Sequence, residues 1–166
     1  MLTYLSYKIL TNKFFLSIAR ASPNIIFFST ILLNVITTKR IFLILFILHN
    51  ISELLNVILK FFTERILGNK YYFLIGSGKR PSNNLKTYGM PSGHSQAIAT
   101  FCAFIALYNQ NNPNKYYINI SLFLSVLYIM FSRVYEKFHT IQQTIIGALI
   151  GLGLGYYSYK IYLEFK

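Results

Sequence analysis

The hydrophobic positions of this chain fall into five long runs, separated by short clusters of cations, glycines and other polar residues. The first extends from Pro23 to Thr38 and stops at Lys39-Arg40, and the second runs from Ile41 to about Phe62. The third starts at Pro91 and ends near Tyr108, the fourth covers Tyr116 to about Ser132, and the fifth Thr140 to about Tyr159. A helix crosses the hydrocarbon of a bilayer with about 20 residues, so the pattern predicts an all-α fold, a polytopic transmembrane helix bundle of about five spans. Residues 1–22 interleave Lys8, Lys13 and Arg20 with aromatic and aliphatic side chains and hold no run of spanning length. They are expected to lie at the membrane interface, with residues 23–166 forming the membrane-embedded domain. The Phe14–Ala19 stretch is short and meets Arg20 directly, which argues against a cleaved leader.

Polar residues inside two of the runs imply a bundle with an interior. The second run carries His49, Asn50, Glu53, Asn56 and Lys60. Glu53, Asn56 and Lys60 are spaced by three and four, so they share a helical face that should look inward, either to hold helices together or to serve chemistry. In the fifth run Gly147, Gly151 and Gly155 recur every four residues, the spacing that lets membrane helices approach closely. Thr63 to Tyr88 is the longest polar connection, with Arg65, Lys70, Lys79, Arg80 and Lys86 among the breakers Gly68, Gly76, Gly78 and Pro81. Loops of that length commonly carry function.

Charge narrows the partners. Sixteen Lys and Arg stand against four acids in 166 residues, a net charge of +12. The cations sit between apolar runs and lack nucleic-acid-binding motifs, so no nucleic acid is expected; a lipid-borne phosphate is the better partner. The chain has no aspartate, and Glu53, Glu64, Glu136 and Glu164 are too scattered for a carboxylate cage around metal ions. Its three histidines are far apart in sequence, unlike zinc ligands, so neither metal nor cofactor is expected. The lone Cys102 cannot form an internal disulfide and says nothing about compartment.

Two short motifs carry the candidate chemistry. Tyr88-Gly89-Met90-Pro91-Ser92-Gly93-His94-Ser95-Gln96 places a histidine and a glycine-loosened turn where the third run begins, a setting in which backbone N–H groups can approach a phosphate. Taken alone it reads equally well as an ordinary loop-to-helix junction. The second motif, Ser132-Arg133-Val134-Tyr135-Glu136-Lys137-Phe138-His139, lies between the fourth and fifth runs. Two crossings separate His94 from His139, so both belong on one side of the membrane, together with Arg80 and Arg133. That set suits phosphoryl transfer. Guanidinium groups hold the nonbridging oxygens, one neutral histidine attacks phosphorus, and a protonated one donates its proton to the departing oxygen.

At these residues the chain resembles the phosphatidic acid phosphatase type 2 superfamily of membrane phosphatases. The family pattern has a Lys followed by Arg-Pro, a Pro-Ser-Gly-His, and a Ser-Arg with a His six residues after the Arg. Its counterparts here are Lys79-Arg80-Pro81 in part, Pro91-Ser92-Gly93-His94, and Ser132-Arg133 through His139. The wording is most similar to the dolichyl diphosphate phosphatases, through Tyr88 to Gln96, Ser132 to Tyr135, His139-Thr140 and Gln143, and the resemblance covers roughly residues 50–155. It implies a phosphatase-like helical core, with His139 as nucleophile, His94 as general acid, and Arg80, Arg133, Ser92 and Gly93 on phosphate oxygens. Many members carry an Asp four residues after the nucleophile; Gln143 stands here, and its amide oxygen can still accept the imidazole N–H and orient the ring. The family's first-motif Lys precedes its Arg by seven residues, where this chain has Phe73; Lys60, Lys70 or Lys79 could supply that charge.

The implied function is hydrolysis of dolichyl, or polyprenyl, diphosphate to the monophosphate and inorganic phosphate, recycling the lipid carrier for protein N-glycosylation. The alternatives are a broader lipid phosphate phosphatase acting on phosphatidate, sphingoid phosphate or undecaprenyl diphosphate, and an inactive membrane protein that binds lipid phosphate. The resemblance implies the endoplasmic reticulum membrane with a lumenal site. Cation counting favours the cytoplasm instead: Lys8, Lys13, Arg20, Arg65, Lys70, Lys86 and Lys137 lie on the active side, and Lys39, Arg40, Lys115, Lys160 and Lys166 opposite. Oligomeric state is not legible in the sequence.

Overall fold

A computed structural model describes residues 8–66 and 88–164, and all its long elements are α-helices. They are α1 (Lys13–Thr37), α2 (Arg40–Ile66), α3 (Gly93–Tyr108), α4 (Lys115–Tyr135) and α5 (Ile141–Glu164). By length and hydropathy α1, α4 and residues 40–65 of α2 each suffice to cross a membrane. The other two do not meet that measure alone. α3 has 16 residues, about 24 Å at 1.5 Å per residue, and α5 carries Gln142, Gln143 and four tyrosines.

The short α3 is central: it packs against every other long helix, most extensively against α5. Its buried face, from Ser95 to Phe104, is covered by protein, while Phe28, Val35, Leu54, Val57 and Phe123 on α1, α2 and α4 point outward. The glycine spacing of α5 explains the close α3 contact. A Cβ at Gly147 would lie 2.5 Å from the Ser92 carbonyl oxygen, and one at Gly155 2.5 Å from that of Thr100. Between α2 and α3 the seam is polar. Asn56 Nδ2 donates to Gln96 Oε1 at 2.9 Å, Gln96 Nε2 donates to the Ser52 carbonyl at 2.7 Å, and the Ser52 and Thr100 hydroxyls lie 3.4 Å apart. All four side chains are buried, so hydrogen bonds rather than hydrophobicity set the register of these helices in lipid.

The first helix begins ten residues before the expected start at Pro23. Asn12 caps it, its side-chain oxygen accepting from the Phe14 amide at 2.9 Å. Pro23 suits a first turn but here lies inside the helix, where it removes the bond to the Ala19 carbonyl. The Ser22 hydroxyl donates to that carbonyl at 2.9 Å, so the helix continues through the proline. Residues 13–22 are thus helical and continuous with the rest of α1, and Arg20 rides on them.

Candidate active site

The active end gathers the start of α3, the end of α4 and the start of α5. Ser92 caps α3: its hydroxyl lies 3.5 Å from the Ser95 amide and accepts from the Ser95 hydroxyl at 3.1 Å. Its own amide donates to the Gln143 carbonyl at 3.0 Å, which fastens the Pro-Ser-Gly-His segment to α5. Thr63, near the end of α2, donates to the Met90 carbonyl at 2.8 Å and closes the other flank.

A helix-ending turn produces the Arg-to-His spacing. Lys137 adopts a left-handed backbone (φ 60°), its amide donates to the Val134 carbonyl at 3.0 Å, and the Phe138 amide donates to the Arg133 carbonyl at 3.0 Å. This is a Schellman ending, with lysine where glycine is usual. The His139 amide also donates to the Arg133 carbonyl, at 3.1 Å, so residues six apart in sequence are tied together. The Arg133 guanidinium lies 4.3 Å from the centre of the Phe138 ring. Glu136, from the same turn, has one oxygen 3.8 Å from Arg133 Nη1, while the other accepts from Arg20 Nε at 2.7 Å.

Gln143 has two tasks. Thr140 Oγ1 accepts from the Gln143 amide at 3.3 Å and Gln143 Oε1 accepts from the Thr140 amide at 3.2 Å, a reciprocal capping box that starts α5. The same Oε1 lies 3.0 Å from His139 Nδ1. The Thr140 amide marks this atom as the carboxamide oxygen, which can only accept, so Nδ1 carries the proton and the neutral imidazole has its lone pair on Nε2. Gly89 backs this arrangement: a Cβ there would lie 2.5 Å from Gln143 Oε1. His94 is fixed in the opposite sense. Its Nε2 is 2.9 Å from the Arg20 carbonyl, which only accepts, so that nitrogen bears hydrogen.

His94, His139, Arg133, Gly93 and Lys60 line a single cavity of about 500 Å³, which is lined also by Arg20, Pro23, Asn24, Phe27 and Phe28 of α1 and by His49, Asn50 and Glu53 of α2. Among the expected phosphate ligands, Ser92 does not line this cavity, because its hydroxyl and amide are engaged in the cap and in the bond to α5. Gly93 does, and a side chain there would press on Asn56. Of the candidate lysines Lys60 is at the cavity; Lys70, Lys79 and Arg80 lie outside the described residues. The inward face expected of α2 divides in two, Asn56 bonding to α3 while Glu53 and Lys60 face the cavity. Sequence reasoning missed Arg20 and Glu136; the three-residue spacing of Arg133 and Glu136 was the available signal for the latter. Among the described residues no group of three or more His, Cys, Asp or Glu is placed to hold a metal ion.

The profile of the PAP2 superfamily matches residues 25–166. The chain belongs to the PAP2 superfamily. A curated relative, "Dolichyldiphosphatase 1" of Dictyostelium discoideum, is 31% identical to it over 83 residues, 46% of this chain and 36% of that relative's length. The fold is also that of a solved PAP2 structure, the "first transmembrane PAP2 type phosphatidylglycerolphosphate phosphatase from Bacillus subtilis". That likeness has a TM-score of 0.63 at 20% identity and covers 95% of this chain and 73% of the other.

Proposed function

We propose that this PAP2 protein hydrolyses polyprenyl diphosphate to polyprenyl monophosphate and inorganic phosphate through a phosphohistidine, and that dolichyl diphosphate is its substrate. The carrying observation is that two histidines 45 positions apart face one cavity together with Arg133 and Lys60. Their hydrogen bonds suit opposite roles. His139, with Nδ1 on Gln143, presents the Nε2 lone pair to the terminal phosphorus; a P–N bond forms as the bond to the bridging oxygen breaks. The electron pair goes to that oxygen, and His94 delivers a proton to it, so lipid monophosphate departs. Water then attacks the phosphohistidine, releasing orthophosphate and restoring His139. Arg133, its guanidinium set by Phe138 and Glu136, and Lys60 hold the nonbridging oxygens.

The similarity to a dolichyldiphosphatase over 83 residues supports dolichyl diphosphate as the substrate, and an endoplasmic reticulum location, a lumenal site and carrier recycling for glycosylation belong to the same proposal. A second reading, phosphatidate or sphingoid phosphate as substrate, is favoured by the polar wall of His49, Asn50 and Glu53, since ester, hydroxyl or amine groups would find partners where isoprene would not. Phosphate release from dolichyl diphosphate and phosphatidate, measured side by side in chelator, separates the two. Activity toward neither sinks both, and a His139→Ala variant with full activity sinks the covalent mechanism.

A further inference from the structure

Arg20 belongs to none of the phosphatase motifs, yet it touches two of them. Its carbonyl accepts from the His94 ring at 2.9 Å, and its guanidinium is paired with Glu136, whose second oxygen faces Arg133. Glu136 is nearly buried, with 7% of its side chain exposed, whereas the Arg20 side chain is 56% exposed and lines the cavity. Arg20 can therefore change partners without being stripped of water anew.

Its position has a chemical meaning under the phosphatase reading, on which this inference rests. A general acid stands beside the oxygen that departs, so His94 marks the leaving-group side of the cavity, and Arg20 is bonded to His94. When a monophosphate ester is cleaved, a lipid alcohol departs, and once protonated it carries no charge for a guanidinium to meet. When a diphosphate is cleaved, a lipid monophosphate departs, and its anionic phosphoryl group lies next to the acid. We propose that Arg20 binds the lipid-proximal phosphoryl group of a diphosphate, exchanging the Glu136 carboxylate for phosphate oxygens, and thereby sets a preference for lipid diphosphates over monophosphates. Planar two-point pairing with phosphate suits arginine for that exchange. Glu136 is the resting partner, one carboxylate keeping two guanidinium groups side by side.

The test compares the full chain with Arg20→Gln in detergent. This variant keeps a donor for Glu136 and leaves the backbone carbonyl on His94 in place, but removes the charge. The ratio of kcat/KM for a polyprenyl diphosphate to that for the matching monophosphate is expected to fall about tenfold or more, the effect of losing one charge-assisted contact. A ratio unchanged by the substitution overturns the proposal, whatever happens to the separate rates. A second readout needs no turnover: inorganic pyrophosphate should raise the unfolding midpoint of the unsubstituted protein more than orthophosphate does, and Arg20→Gln should abolish the excess. Equal shifts with the two anions, or an excess that survives in the variant, overturn it. Failure to hydrolyse any lipid phosphate would remove the phosphatase reading, while the pyrophosphate measurement still decides whether Arg20 makes the second-phosphoryl site.

Discussion

Replacing Gln143 tests how the candidate nucleophile is held. Its Oε1 accepts from His139 Nδ1 at 3.0 Å and from the Thr140 amide at 3.2 Å, and the residue is fully buried, so water cannot take its place. Gln143→Leu removes this one acceptor from both donors. Losing the capping box should cost about 1 kcal/mol, and leaving buried donors without an acceptor about 1–3 kcal/mol each, so the unfolding midpoint should drop by several degrees. The catalytic consequence is separate. Without the acceptor on Nδ1, the tautomer with its proton on Nε2 competes, and that ring cannot attack. Loss of one hydrogen bond of about 1.4 kcal/mol is a factor of ten in tautomer population, and looser ring orientation adds to it. The expected result is kcat lower by about ten- to a hundredfold with KM within about threefold. Gln143→Glu keeps an acceptor for both donors, so it should recover most of kcat even where the buried charge lowers stability. Phosphate release under saturating lipid, with thermal unfolding of the same samples, measures both. A Leu variant with unaltered kcat, or a Glu variant as slow as the Leu variant while equally folded, would refute the assignment of Gln143.

Three further outcomes follow from the packing. Gly147→Ala sets a methyl group against the Ser92 backbone, which cannot swing aside, so it should cost about 1–3 kcal/mol and slow phosphate release by displacing His94 from His139; a raised unfolding midpoint, as helix propensity alone would give, would contradict the contact. Lys137→Gly should stabilise the protein by about 0.5–1 kcal/mol, read as a higher midpoint, because the left-handed position at φ 60° costs lysine more than glycine. Cys102 is buried and is the chain's single cysteine, so Lys137→Cys places one accessible thiol at the active end; a membrane-impermeant maleimide should label it in sealed microsomes only after permeabilisation if the site is lumenal.

Much of the fold was legible because lipid demands it. Runs of apolar residues, the polar stripe of α2 and the glycine spacing of α5 are each answers to burying backbone and side chains without water, and each was found near its expected place. The exception at Pro23 has a physical cause that pattern reading misses. Proline marks a helix start because it lacks an N–H, but a hydroxyl one residue earlier supplied the missing donor. Starting the helix at Pro23 hid Arg20: set apart from the first helix, it had no reason to meet His94 or Glu136.

The site was legible at its spacings and illegible at its neighbours. Six residues from Arg133 to His139 make sense once the Schellman turn returns the chain onto the Arg133 carbonyl, and four from His139 to Gln143 once a capping box carries the amide oxygen under the ring. The glutamine that departs from the commoner aspartate follows from the same geometry. Three residues into a helix capped by Thr140, the capping box calls for Glu or Gln, and the neutral choice avoids burying an anion with no exposure to water. Negative charge then reaches the site from Glu136 instead, through Arg133 and Arg20 and not through the nucleophile. His139 is left less basic than a carboxylate partner would make it. A carboxylate at 143 favours the charged ring, so the acidic limb of the rate profile should move upward in Gln143→Glu. An acidic limb that stays in place would mean that residue 143 does not govern the ring.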